Sequence, residues 1–162
     1  MLVVFATPRL KPPAVVFGAL LDFTDYDLVP PSVRLVDPFT REPYQASELP
    51  THLRRQVTTP APAELVIPGL PPGATPMVVQ ESRIMQWHDE DDMPFLCLPG
   101  VREYHAHPAH SGDSWLLHQG GGEGSLHFLL EQLSRYGVEP ITGYNVQLVP
   151  AITGFAQSGA PA

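Results

Sequence analysis

Val15-Val-Phe-Gly-Ala-Leu-Leu-Asp-Phe23 is the run on which the fold depends. It is rich in β-formers, too short for a secure helix, and preceded by Pro12 and Pro13, so it reads as a strand. After it, Thr24-Asp-Tyr-Asp-Leu-Val-Pro30-Pro31 makes a turn and then a stiff extended step, because Pro31 biases the residue before it away from helix. Ser32-Val-Arg-Leu-Val-Asp37 alternates, with Val33 and Leu35 facing one way, the pattern of a half-buried strand. Asp37-Pro-Phe-Thr-Arg41 is a turn. Upstream, the short apolar run from Leu2 to Phe5 supplies a first strand, and Pro8, Pro12 and Pro13 break the chain behind it.

The remaining chain is punctuated. Residues 42–76 are the least regular, with a short helix predicted over 47–56 and loops at Thr58-Thr-Pro-Ala-Pro62 and Pro71-Pro-Gly73. Glu64-Leu-Val-Ile-Pro68 and residues 77–80 read as short strands. Asp89-Glu-Asp-Asp92 reads as a solvated loop, since a calcium site needs more oxygen ligands at loop spacing. Ser114-Trp-Leu-Leu-His118 reads as a strand, and Gln119-Gly-Gly-Gly-Glu-Gly124 as a flexible link without the pattern of a phosphate loop. Ser125 can cap a helix in which Leu126, Leu129, Leu130, Leu133 and Tyr136 follow helical spacing and Gly137 marks the end. His127 reads as a surface or core imidazole of that helix rather than a ligand. A last strand is predicted within 141–149. The fold class is α+β: an antiparallel sheet with one C-terminal helix, rich in loops and proline. A single domain covers residues 1–156, and a loose tail 157–162.

Composition narrows the function. Of 162 residues, 43% are hydrophobic, which suffices for a core, and the formal charge of −8 comes without a basic patch, which argues against nucleic acid as a partner. One cysteine excludes an intramolecular disulfide and suits a reducing compartment. The longest apolar runs, such as residues 14–21, fall short of a membrane span, and the first residues lack a signal-peptide pattern. The expectation is a soluble, cytoplasmic protein.

Chemistry concentrates in Cys97-Leu-Pro-Gly-Val-Arg-Glu103-Tyr-His105-Ala-His107-Pro-Ala-His110-Ser-Gly-Asp113, where the sole thiol, a carboxylate and three imidazoles lie close together in sequence. If residues 103–107 are extended, Glu103, His105 and His107 project to one face. Pro108 then ends the strand, His110 folds back, and a turn at Pro99-Gly100 brings Cys97 alongside. Sulfur, imidazole and carboxylate together favour Zn²⁺ over Fe²⁺ or Ni²⁺. A shell filled by protein would be structural; an open position would allow a metal-dependent enzyme with Glu103 as base. Cys97 as a nucleophile, or a triad drawn from Ser111, Asp113, Ser114 and a histidine, needs more assumptions, and no glycine-flanked elbow surrounds either serine.

Two segments carry a resemblance. Residues 17–36, with Asp25-Tyr26 and Val29-Pro30-Pro31-Ser-Val33, and the later Tyr104-His105-Ala-His107-Pro108 and Gly112-Asp-Ser-Trp115-Leu116, resemble ubiquitin-conjugating enzymes. Ala109 stands where that family has asparagine and Trp115 where it has its catalytic cysteine, so thioester chemistry is not implied. The order Cys97, Glu103 and two of His105, His107 and His110 is closer to a family of bacterial predicted metal-binding domains with a Cys-Glu-His-His quartet. That resemblance implies an accessory protein working with a ubiquitin-like modifier and its activating and conjugating enzymes. A cupin is weaker, because Ser111 and Gly112 occupy the place of its glutamate.

Overall fold

The computed structural model describes residues 1–62, 68–69, 71 and 74–145. Its centre is the predicted meander. Strands β1 (Leu2–Thr7), β2 (Ala14–Asp22) and β3 (Ser32–Val36) form an antiparallel sheet in the order β1-β2-β3. Alternation along β2 buries Phe17, Ala19 and Leu21, while Leu20 between them faces outward. On β3, Val33 and Leu35 are buried around the exposed Arg34. The register pairs Phe5 with Phe17 and Leu21 with Val33, so the large apolar groups meet on one face, and the Phe5 and Phe17 rings stack with centroids 4.8 Å apart.

Helix α2 (Leu126–Gly137) closes that face. Ser125 caps it, its Oγ accepting from the Phe128 N–H at 3.1 Å, and Leu129 and Leu133 are buried in the same cluster as Phe17, Leu53 and Leu96. Gly137 is the last helical residue and does not terminate the helix by a left-handed turn; the Val138 N–H bonds the Ser134 carbonyl in the C-cap. Its glycine has a packing reason instead, since a Cβ there would lie 2.9 Å from the Phe17 ring. His127 is exposed, as a surface imidazole.

The middle of the chain departs from expectation. Instead of a helix over 47–56 there is one 3-10 turn, Ala46–Glu48, and Arg54 already begins a strand. β4 (Arg54–Pro60) pairs in register with β5 (Met77–Arg83), from Arg54 opposite Arg83 to Pro60 opposite Met77. The loop expected from Thr58 onward is thus partly strand: Thr58 and Thr59 face Val79 and Val78 across the ribbon, and Pro60, which cannot donate to a ladder, sits at its end. The strand predicted over 77–80 is present and longer. β6 (Met85–Gln86) and β7 (Phe95–Leu96) form a second short ladder. Asp89-Glu-Asp-Asp92 lies in the exposed loop between them and closes on itself, the Asp89 N–H donating to Asp92 Oδ2 at 2.9 Å.

Two further expectations yield to short helices. Residues 103–107 are not extended: Arg102–Ala106 is a turn of helix, α1, followed by a 3-10 turn at Pro108–His110. Trp115–Leu117 is a 3-10 turn, not a strand. Ser114 caps it by accepting from the Leu116 N–H at 3.3 Å, and only Trp115 of the three is buried, so no strand-like alternation has a sheet to pack on. No strand occurs over 141–145, and the rest of that predicted strand, the one at 64–68 apart from Pro68, and the tail lie outside the described residues. Among the described residues no helix is long and apolar enough to cross a membrane.

Candidate functional site

Helix α1 is positioned by what its first residues grip. The Arg102 N–H donates to the Pro31 carbonyl at 2.9 Å, and the Arg102 side chain donates to the carbonyls of Pro30 and Thr24. Glu103 accepts from the Ser32 hydroxyl and, at 3.3 Å, from the Val33 N–H. Both residues therefore clamp α1 onto the edge of β3. Glu103 is thereby turned to Ser32 and Val33, while His105 and His107 are engaged by other backbone groups, so the one-face set expected of an extended segment does not form.

His105 is also committed elsewhere. Its Nδ1 lies 2.9 Å from the Asp113 carbonyl oxygen and its Nε2 2.7 Å from the Pro99 carbonyl oxygen. With both ring nitrogens within hydrogen-bond distance of carbonyl oxygens, His105 presents no free nitrogen to a metal.

Cys97 and His110 do come together. Cys97 follows β7, held by its N–H to the Ile84 carbonyl at 2.7 Å, and the 3-10 turn after Pro108 brings His110 Nε2 to 3.3 Å from Cys97 Sγ. Burial pushes the thiol pKa up, and the charge of Arg55 only partly opposes it. Without a metal this burial favours the neutral thiol over the thiolate, the reverse of an activated nucleophile. His107 is the next imidazole, its ring centre 5.7 Å from that of His110. Its Nδ1 accepts from the Ala109 N–H at 3.3 Å, and its ring stacks on Phe95.

A metal shell can be tested against this arrangement. With Zn–S near 2.3 Å and Zn–N near 2.0 Å, adjacent ligands of a tetrahedral ion stand about 3.5 Å apart. The Cys97–His110 separation of 3.3 Å fits such an edge. Among the described residues, however, no three His, Cys, Asp or Glu side chains are gathered closely enough to hold an ion. Of the five residues singled out in the sequence, two fit as a pair, His107 stands beside them, and Glu103 and His105 are engaged by the fold.

A second cluster went unnoticed in the sequence. His118 lies between two carboxylates, its Nε2 2.7 Å from Asp113 Oδ1 and its Nδ1 3.0 Å from Glu123 Oε2. Asp113 also accepts from the Tyr104 hydroxyl at 2.7 Å. The Tyr104 pKa is pushed up to about 12, by this bond first and burial second, so the phenol stays a donor. Asp113 is lowered, chiefly by the Tyr104 bond and then by His118, while His118 is raised, chiefly by Asp113. The Tyr104 ring in turn stacks on His110 at 3.8 Å, which ties this chain of polar groups to the thiol–imidazole pair. The glycine run that looked like a flexible link is packed at its end: a Cβ on Gly124 would lie 2.2 Å from the His118 carbonyl oxygen. The local signal was the even bracketing of His118 by Asp113 and Glu123, each five residues away.

The fold and site together define an α+β protein with a half-buried thiol–imidazole pair braced by a tyrosine–aspartate–histidine network. The chain belongs to the Y4jH-like family, whose model matches residues 1–141. It is 40% identical over 156 residues to the uncharacterized protein y4jH of Sinorhizobium fredii (strain NBRC 101917 / NGR234), an alignment covering 93% of this chain and 72% of the relative.

Proposed function

We propose that this chain is a metal-binding accessory protein of a bacterial ubiquitin-like conjugation pathway, with zinc held at Cys97 and His110 in a mainly structural site. The observation that carries the proposal is the 3.3 Å approach of Cys97 Sγ to His110 Nε2, which supplies one edge of a tetrahedral shell, with His107 the nearest further donor. Bound there, the ion would cross-link the end of β7 to the turn after α1, and its binding energy would add to folding. A catalytic reading is less economical: Glu103, the candidate base, is already held by Ser32 and Val33, and the raised thiol pKa disfavours a nucleophile. Assignment to a conjugation pathway, acting with a ubiquitin-like modifier or its activating or conjugating enzymes, rests on the resemblance of the Cys97, Glu103 and histidine order to bacterial metal-binding domains with a Cys-Glu-His-His quartet. The buried Trp115 at the place of the catalytic cysteine suits a non-catalytic partner. A lone thiol suits the reducing cytoplasm.

Elemental analysis of purified protein tests the site. Zinc near one equivalent is expected in the parent, His105→Ala and Glu103→Gln proteins, with loss in Cys97→Ala and His110→Ala. Full retention in both of the last two would refute it. The pathway assignment is tested separately by capture from the native cell with tagged protein, and recovery of no modifier or conjugation enzyme would overturn that part.

A further inference from the structure

Residues of β5, β6 and β7, with Trp87, His88 and His107, line an open cleft of about 360 Å³, within the range of small-molecule sites. Trp87, Phe95 and His107 offer it flat ring surface, while Arg83, His88 and Gln86 offer hydrogen-bonding groups. The Arg83 guanidinium stands over the Trp87 ring, 5.4 Å from its centre, so a cation and an aromatic platform occur together on one wall. No carboxylate lines this cavity, although acidic residues outnumber Lys and Arg by 17 to 9 in the chain as a whole.

We infer that this cavity is a binding site for a small aromatic carboxylate, its ring against Trp87 and Phe95 and its carboxylate facing Arg83. The combination selects that class: a cation binds an anion by charge-assisted hydrogen bonds, and aromatic walls bury a flat apolar body. The inference does not depend on metal at Cys97 and His110.

Amide-resolved NMR titration of the full chain with benzoate, benzamide and inorganic phosphate tests it. Benzoate should saturate, shifting amides of residues 82–88, 95 and 107, and should bind roughly tenfold more tightly than either benzamide or phosphate. Arg83→Gln, at an exposed position, should weaken benzoate roughly tenfold and leave benzamide unchanged, and Cys97→Ala should leave benzoate binding intact. The inference is overturned if benzamide or phosphate matches benzoate, if Arg83→Gln has no effect in a folded protein, or if Cys97→Ala abolishes binding, which would assign the anion to a metal.

Discussion

Replacing His105 by alanine separates a structural histidine from a ligand, and the magnitude follows from its contacts. The ring bridges the Asp113 and Pro99 carbonyls at 2.9 and 2.7 Å; a neutral ring donates to one of them, and a protonated ring to both. One such bond contributes about 1 kcal/mol net. The edge-on contacts with Tyr104, at 5.0 Å, and Trp115, at 6.1 Å, add about 0.5–1.5 kcal/mol. Removing the ring should therefore cost about 1.5–2.5 kcal/mol. For a domain of this length that lowers Tm by roughly 3–10 °C. Urea unfolding followed by circular dichroism measures the first quantity, a thermal scan the second, and elemental analysis of the same preparation gives metal content. The expected result is a clear loss of stability with zinc retained. A folded His105→Ala protein of unchanged stability that has lost its zinc would refute the assignment of His105 to the frame.

Other perturbations probe the remaining parts. Gly137→Ala puts a Cβ 2.9 Å from Phe17; overpacking of about 1–3 kcal/mol should outweigh the helix-propensity gain of at most about 1 kcal/mol, and urea unfolding should show net destabilisation. Leu133→Ala, at a fully buried position, should cost about 2–5 kcal/mol in the same assay. The Asp113–His118 pair should give a two-sided pH profile of stability. His118 is raised from 6.5, so its contribution is full below that value and fades as pH climbs through the folded pKa; Asp113 is lowered from 3.8, so its contribution is present above that value and fades as pH falls through the folded pKa. His118→Gln should flatten the alkaline limb of Tm against pH, and an unaltered limb would show that the pair does not couple to folding.

What could be read from the sequence was what local periodicity determines. The alternation of Phe17, Ala19 and Leu21, and the helical spacing of Leu126, Leu129 and Leu133, each match an element that buries that face. The β4–β5 ribbon was less legible because most of its side chains are only partly covered or exposed, so no apolar stripe marks it; cross-strand pairing, a non-local fact, defines it. The site shows the same limit more sharply. Glu103-Tyr-His105-Ala-His107 satisfies a period of two on paper, yet the grip of Arg102 and Glu103 on residues 30–33 sets a helical turn there. That tertiary contact disperses a quartet that sequence spacing had assembled. Cys97 and His110 meet because a ladder and a 3-10 turn opened by Pro108 converge, a meeting that the turn residues Pro99-Gly100 and Pro108 do foreshadow.

The two segments that resemble conjugating enzymes are joined in space. Arg102 and Glu103 hold the segment at Pro30–Val33, and Trp115 Nε1 donates to the Asp27 carbonyl at 2.9 Å. Gln119 donates to that same carbonyl at 3.0 Å. A thiol at position 115 that carried a thioester would have to face solvent and an incoming amine; the indole there is buried and spends its only polar hydrogen on the loop opposite. The thiol the chain does possess is half-buried and paired with an imidazole. Both positions are built to be held still. Position 115 therefore offers no nucleophile, and the sulfur of Cys97 is held against His110.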